Sequence, residues 1–167
     1  RGENLVEFVN NYRKLTKLPE LRTKKTSVIS LINQISTLFK AELESEKIVF
    51  KIESPVEDIL VTIDPVLVEQ VLVNLLKNAI AAVQEVDSPE ICIQVIQDKS
   101  NLKIKVQDNG KGILKQALPK IFVPFYSTKP GGSGIGLSLS KLIMQLHKGN
   151  ISVESQLGKG SSFSLVF

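Results

Sequence analysis

The stretch "DPVLVEQVLVNLLKNAIAAV", residues 64 to 83, constrains the fold more than any other part of the chain. Val68, Val71, Leu72, Leu75, Leu76, Ala79 and Val83 recur at the three- and four-residue spacing of one helical face. Such a segment must bury a broad apolar stripe against another apolar surface. Asp64 can cap the free N–H groups of a first turn, and Pro65 sits where its missing donor does no harm, so a helix is predicted from here to about Val86. On the arc beside the stripe, Gln70, Asn74 and Asn78 follow at intervals of four and form one row. Asparagine is a poor helix former, and two in mid-helix need a reason. Either the amides satisfy each other and the backbone, or their oxygens are hard, neutral donors for a magnesium ion that draws its other ligands from phosphates and water.

The surface for that stripe to pack on is supplied by short runs with strand character. "KIVFKIE" and "DILVTI" are β-branched and are expected to pair as a hairpin or at an edge, and "ICIQVIQ" and "LKIKVQ" alternate around the turn-like "DKSN". "NISVES" and "SSFSLVF" close the chain as two further strands. Helical periodicity also marks "ENLVEFVNNYRKL", with Leu5, Phe8, Val9, Tyr12 and Leu15 on one stripe, and "TSVISLINQISTLFKAELE", with "TKLPELRTKK" between them as a polar connector. Helices and strands mix without strict βαβ alternation. The expected fold is therefore α+β, a two-layer α/β sandwich, rather than a doubly wound parallel sheet.

Composition narrows the partners. With 21 basic and 17 acidic residues the net charge is +4, and six of the basic residues crowd into Arg13 to Lys25, which reads as a solvated connector rather than a nucleic-acid surface. Cys92 is the only cysteine, so neither a disulfide framework nor a thiolate metal site is expected, and a reducing compartment fits. No apolar stretch is read as approaching membrane-spanning length. Because the chain starts at Arg1 already in helical stride, it reads as a piece of a longer protein.

Two glycine-punctuated segments carry the remaining chemistry. "DNGKG", Asp108 to Gly112, follows a strand. Asn-Gly suits a tight hairpin, but "ILKQALPKIF" beyond it lacks strand alternation. The other reading is a carboxylate at a strand end that accepts from the amino group of a base, with bare backbone letting the ring approach. "PFYSTKPGGSGIGLSLS" places Gly131, Gly132, Gly134 and Gly136 ahead of a helix expected over about Gly136 to Leu146. A helix starting inside a glycine cluster points unpaired N–H groups and a positive dipole end at whatever occupies the loop, and an anion is the natural tenant. Gly132, Gly134 and Gly136 fall short of the dinucleotide fingerprint, and Leu137 stands where a P-loop needs lysine.

"NLLKNAIAAV", "DNGKGI", "PFYSTK" and "GGSGIGLSLS", in this order and spacing, resemble the asparagine box, first glycine box, phenylalanine box and second glycine box of the GHKL superfamily of gyrases, heat-shock chaperones, histidine kinases and mismatch-repair proteins. They are most similar to the catalytic and ATP-binding domain of bacterial sensor histidine kinases, in particular the nitrogen-regulator-like branch. The resemblance covers about residues 26 to 167 and implies the Bergerat ATP-binding sandwich, a mixed sheet packed on helices with a mobile lid. Residues 1 to 25 resemble the end of the dimerisation and phosphoacceptor hairpin with its linker.

Carried over by position, the resemblance implies ATP and Mg2+ as cofactors. Asn78 would coordinate the metal, with Asn74 supporting the catalytic site. Asp108 would bind the adenine amino group, with Gly110 and Gly112 shaping that end of the pocket. Gly132, Gly134, Ile135, Gly136 and Leu137 would meet the phosphates, and residues 113 to 133 would form the lid. Many members carry a lysine and an aromatic residue three and four places after the metal asparagine, where this chain has Ala81 and Ala82. Lys129 in the lid is the expected replacement, with a solvated loop lysine as the alternative. The implied reaction is transfer of the ATP γ-phosphate to a histidine on the protein's own dimerisation domain, in a homodimeric parent, and onward to a response regulator receiver domain. Direct contact of this fragment with a membrane is not expected, and the implied location is cytoplasmic, with anchoring of the parent in the inner membrane left open. A GHKL-type ATPase and a non-catalytic ATP-binding module are the rivals. The ATPase members carry a glutamate at the position of Asn74, whose amide cannot take a proton from water. His147, the single histidine, is expected to be structural rather than the phosphoacceptor.

Overall fold

The side chain of Asp64 accepts hydrogen bonds from the N–H groups of Val66 and Leu67 at 3.1 and 3.2 Å, the cap its position predicts. Helix α2 (Pro65–Val83) starts there, in a computed structural model that describes residues 20–55, 58–98, 101–128 and 132–167. The first helical pattern, around Leu5 to Leu15, lies outside the described residues, as does Lys129. Before α2 come β1 (Lys24–Ser27), α1 (Val28–Ser45), β2 (Val49–Glu53) and β3 (Leu60–Ile63). After it come β4 (Glu90–Asp98), β5 (Asn101–Asp108), a 3-10 turn at Leu118–Lys120, α3 (Gly136–Leu146), β6 (Asn150–Gln156) and β7 (Gly160–Val166).

Five strands form a mixed sheet in the order β2-β4-β5-β7-β6, with β2 parallel to β4 and every other neighbour antiparallel. Alternation puts Ile91, Ile93 and Val95 of β4, Leu102, Ile104 and Val106 of β5, and Phe163 and Leu165 of β7 on one buried face. The helices cover that face: α2 packs against the sheet and against both α1 and α3, and α3 lies against β6. This is the two-layer sandwich that the mixed helix and strand pattern predicts.

Three local expectations are corrected. The hairpin of β2 with β3 does not form: β2 pairs with β4, and β3 pairs antiparallel with β1 in a separate two-stranded sheet. The reason is the apolar row, since pairing Phe50 with Ile91 and Ile52 with Ile93 sets the inward side chains of β2 beside those of β4. The segment read as polar connector runs into β1, which pairs antiparallel with β3. Lastly, α2 is long and apolar enough to cross a membrane by length and composition, which the sequence reading missed. Its apolar face, from Leu67 to Val83, is spent on the protein core, so it is a core helix.

Candidate functional site

Where α2 crosses α3, Asn74 is held in place. Its Nδ2 donates to Ser140 Oγ at 3.0 Å, and Ser140 Oγ donates in turn to the carbonyl of Gly136 at 2.9 Å. The Asn74 oxygen lies so close to Gly136 that a Cβ there would come within 2.1 Å of it, so the glycine is what lets the amide sit against the start of α3. The amide row therefore abuts the end of a helix whose first N–H groups point outward from the turn.

The loop after β5 brings in the carboxylate. Asp108 Oδ1 accepts from the N–H of Gly110 at 2.9 Å, while Asn109 accepts from the N–H of Glu90 at 2.8 Å and donates to the carbonyl of Ser88 at 2.7 Å. The N–H of Lys111 bonds the carbonyl of Ala82 at 3.1 Å, which docks the loop on the last turn of α2. Gly112 has φ +70, and a Cβ on it would meet the Gln156 carbonyl oxygen at 2.1 Å, so only glycine is accommodated. The Asn-Gly pair does not turn a hairpin: the chain runs on to Ile113, whose N–H donates to Ser155 Oγ at 2.8 Å.

These parts enclose a cavity of about 380 Å³. Asn74, Asn78, Asp108, Gly112, Gly132, Gly134, Gly136 and Leu137, all named from sequence, line it. Ile135 instead lines an adjoining groove of about 370 Å³ between α2 and α3. Gly110 packs behind the wall, where a Cβ would stand 2.4 Å from the carbonyl oxygen of Ala82. A larger groove, about 610 Å³, runs along α1 past Ser30, Asn33 and Thr37, and among the described residues Asp58 is the only ionisable group lining it.

Sequence reasoning missed several lining residues. Ser161 and Phe163 reach the cavity because β7 pairs with β5 so that Ser161 stands opposite Asp108, a register no local pattern encodes. Tyr126, Lys77 and Lys111 also face it; Lys77, three residues after Asn74, was the one that helical spacing could have found.

Asp108 is the only acidic residue among the described residues lining the cavity, and those residues hold no cluster of three or more His, Cys, Asp or Glu that could grip a metal. An ion at this site would rely on an asparagine oxygen together with oxygens of a bound ligand and water, the donor set suited to magnesium on phosphates. The cavity's outline, a carboxylate at one end and a helix start beside asparagine oxygens at the other, suits a base-bearing phosphate ester.

His147 has no part in this cavity. Its Nε2 accepts from the N–H of Asp64 at 2.9 Å, its Nδ1 lies 2.8 Å from the carbonyl oxygen of Ile143, and its ring stands edge-on to Phe167. Both nitrogens serve the fold. Cys92 sits on β4, where burial, and then the neighbouring Glu53, push its thiol above the ordinary 9.0, against thiolate chemistry.

Comparison with known proteins agrees with this geometry. A family model described as Histidine kinase-, DNA gyrase B-, and HSP90-like ATPase matches residues 63–167. The chain is 34% identical over 166 residues to sensor histidine kinase ZraS of Escherichia coli (strain K12), covering 98% of this chain and 35% of ZraS. It is 30% identical over 163 residues to sporulation kinase C of Bacillus subtilis (strain 168), covering 96% of this chain and 38% of that protein. The chain thus spans little more than a third of the length of these two relatives. Among solved structures, the nucleotide-free catalytic domain of histidine kinase ThkA superposes with a TM-score of 0.80 at 30% identity, covering 87% of this chain and 97% of that one. ThkA in complex with response regulator protein TrrA gives 0.83 at 28% identity, covering 99% of this chain and 47% of that one.

Proposed function

Because the chain belongs to the Histidine kinase-, DNA gyrase B-, and HSP90-like ATPase family, we propose that it is the ATP-binding catalytic domain of a two-component sensor histidine kinase. In that role it delivers the γ-phosphate of ATP to a histidine on the protein's own dimerisation domain, from which a response regulator receiver domain takes it. The relatives are sensor kinases, and the response regulator bound to ThkA supports the last partner by analogy. The reading places the catalytic domain in residues 26 to 167, the end of the dimerisation hairpin in residues 1 to 25, and the whole in the cytoplasm.

The observation that carries this reading is the single cavity that joins Asp108 to Asn78 and to the start of α3. Asp108 accepts from the amino group of adenine, and Gly112 keeps the loop that carries it against the β6–β7 turn. The first N–H groups of α3 and the backbone at Gly132 and Gly134 face the phosphates. Asn78 is the residue that would hold a magnesium ion, which would supply positive charge to the phosphate oxygens. Lys129 adds a second cation from the lid. Positioning and charge neutralisation are the domain's contribution to phosphoryl transfer.

Two observations favour transfer over hydrolysis. Asn74 cannot act as a base, and its amide is already committed to Ser140. His147 is committed to Asp64 and Ile143. Both commitments support a nucleophile supplied by another domain. Incubation with γ-labelled ATP tests this: the chain alone is expected to stay unlabelled and release phosphate slowly, and to label a histidine once the parent's dimerisation hairpin is supplied. Rapid phosphate release without the hairpin, or label on the chain that vanishes in His147→Ala, would overturn the proposal.

A further inference from the structure

Lys77 lines both the cavity and the groove that adjoins it between α2 and α3, and it is the only described cationic residue that lines both. It stands on α2 three residues after Asn74 and just before Asn78, and it shares its wall with Ser133 and Gly136 at the start of α3. The other described lysine lining the cavity, Lys111, belongs to the opposite end, where its backbone is bonded to Ala82 and Gly158 near Asp108. Among the described residues Lys77 makes no ion pair with a carboxylate. One turn further along α2, Ala81 and Ala82 bring no charge. Gln70 and Ile143 line the same groove as Lys77.

We infer that Lys77 is a further cation, in addition to Lys129, that meets the terminal phosphate of the bound nucleotide. Four methylenes and a compact ammonium let a residue on the helix surface reach a phosphate held at the neighbouring helix start, and a lysine binds phosphate as a point charge without fixed geometry. The inference rests on the reading of the cavity as an ATP site, and it adds a residue that separates a triphosphate from a diphosphate.

The test is calorimetric titration of the whole chain with ATP, ADP and adenosine in excess magnesium, using the parent, Lys77→Gln, Lys77→Arg and Lys103→Gln. Glutamine and arginine keep helix propensity close to that of lysine, and thermal melts check that each variant folds. Lys103 lies on the strand face turned away from the helices, so Lys103→Gln removes the same charge from the molecule at a remote place. Lys77→Gln is expected to weaken ATP about tenfold, the scale of one charge-assisted hydrogen bond, with ADP changed less than about threefold and adenosine unchanged. Lys77→Arg should recover most of the loss, and Lys103→Gln should match the parent. An equal loss for ATP and ADP, a loss shared with Lys103→Gln, or no loss in Lys77→Gln overturns the inference. A parent chain that does not bind ATP overturns the cavity assignment itself.

Discussion

Helix α2 and the segment from Ile113 to Thr128 both line the cavity, yet they are built on different terms. α2 is capped by Asp64, buries residues from Leu67 to Val83, and packs on the sheet and two helices. The other wall is held by a chain of short turns, Ala117 to Leu114, Lys120 to Ala117, Val123 to Lys120 and Tyr126 to Val123, with one backbone bond from Phe125 to Gly134 in the glycine cluster. It buries Ala117 and Ile121, exposes Leu114, Val123 and Phe125, and carries Phe125 at φ +66, a strained conformation for a bulky residue. A fixed wall holds the asparagine row in register; a wall of low local stability can close over a ligand and release it.

The largest effect expected of breaking this contrast lies in the amide row. Asn78→Ala should abolish phosphotransfer to the hairpin and weaken ATP binding in magnesium by more than about tenfold, with a thermal melt close to the parent's. Nucleotide binding unchanged by both the substitution and chelation of magnesium would count against the site. Next comes packing: Leu75 is 0% exposed and Leu114 47%, so Leu75→Ala should cost about 2–5 kcal/mol in urea unfolding and Leu114→Ala no more than about 0.5. Equal costs would mean that the two walls are equally integrated in the fold.

Gly136→Ala should fall between these, at about 1–2 kcal/mol, because the new methyl displaces the Asn74 amide and breaks its bond to Ser140. In a background that already carries Asn74→Ala, Gly136→Ala should add little further loss. Hydrogen exchange addresses the walls directly: amides of Leu72 to Leu76 should exchange slowly with or without ATP, whereas those from Ala117 to Tyr126 should slow at least roughly tenfold when ATP is added. Exchange over the second stretch that ATP leaves unchanged would remove it as a lid.

The same division explains what could be read in advance. α2, α3 and the β4–β5 pair each follow from local periodicity and from residues adjacent in sequence, such as Asp64 before Pro65. Asn78, Asp108 and the glycines could be singled out because asparagine is a poor helix former in mid-helix beside an apolar stripe, and because Asp108 and the glycines punctuate the ends of elements. β1 was not: Lys24 and Lys25 carry no apolar alternation, and only pairing with Val61 to Ile63 makes them a strand. The bond of Asn74 to Ser140 depends on how α2 crosses α3, and the approach of Ser161 to Asp108 depends on strand register. Such non-local facts have no short sequence signature.

A smaller effect is expected at the start of α2. Burial works to raise the Asp64 carboxyl, but the N–H groups of Arg22, Leu67 and Val66 and the nearby His147 outweigh it and hold it below the ordinary 3.8. A folded value below the unfolded one means that this stabilisation is fully present above about pH 3.8 and is lost as pH falls through the folded value. Asp64→Ala should therefore cost about 1 kcal/mol at pH 7, with the gap to the parent narrowing as urea melts are taken below pH 3.8. A gap that is constant across that range would show that the carboxylate charge contributes nothing.

The central claim is that one cavity reads adenine at Asp108 and phosphates at the start of α3. Calorimetric titration of ATP and GTP into the parent chain and Asp108→Ala, in excess magnesium, tests it most directly. On the proposed reading Asp108 would accept from the amino group of adenine and would face a carbonyl oxygen in guanine, so the parent should bind ATP at least roughly tenfold more tightly than GTP. Asp108→Ala should lose that preference chiefly through weaker ATP binding. ATP bound as tightly by Asp108→Ala as by the parent, with the preference over GTP intact, would contradict the account.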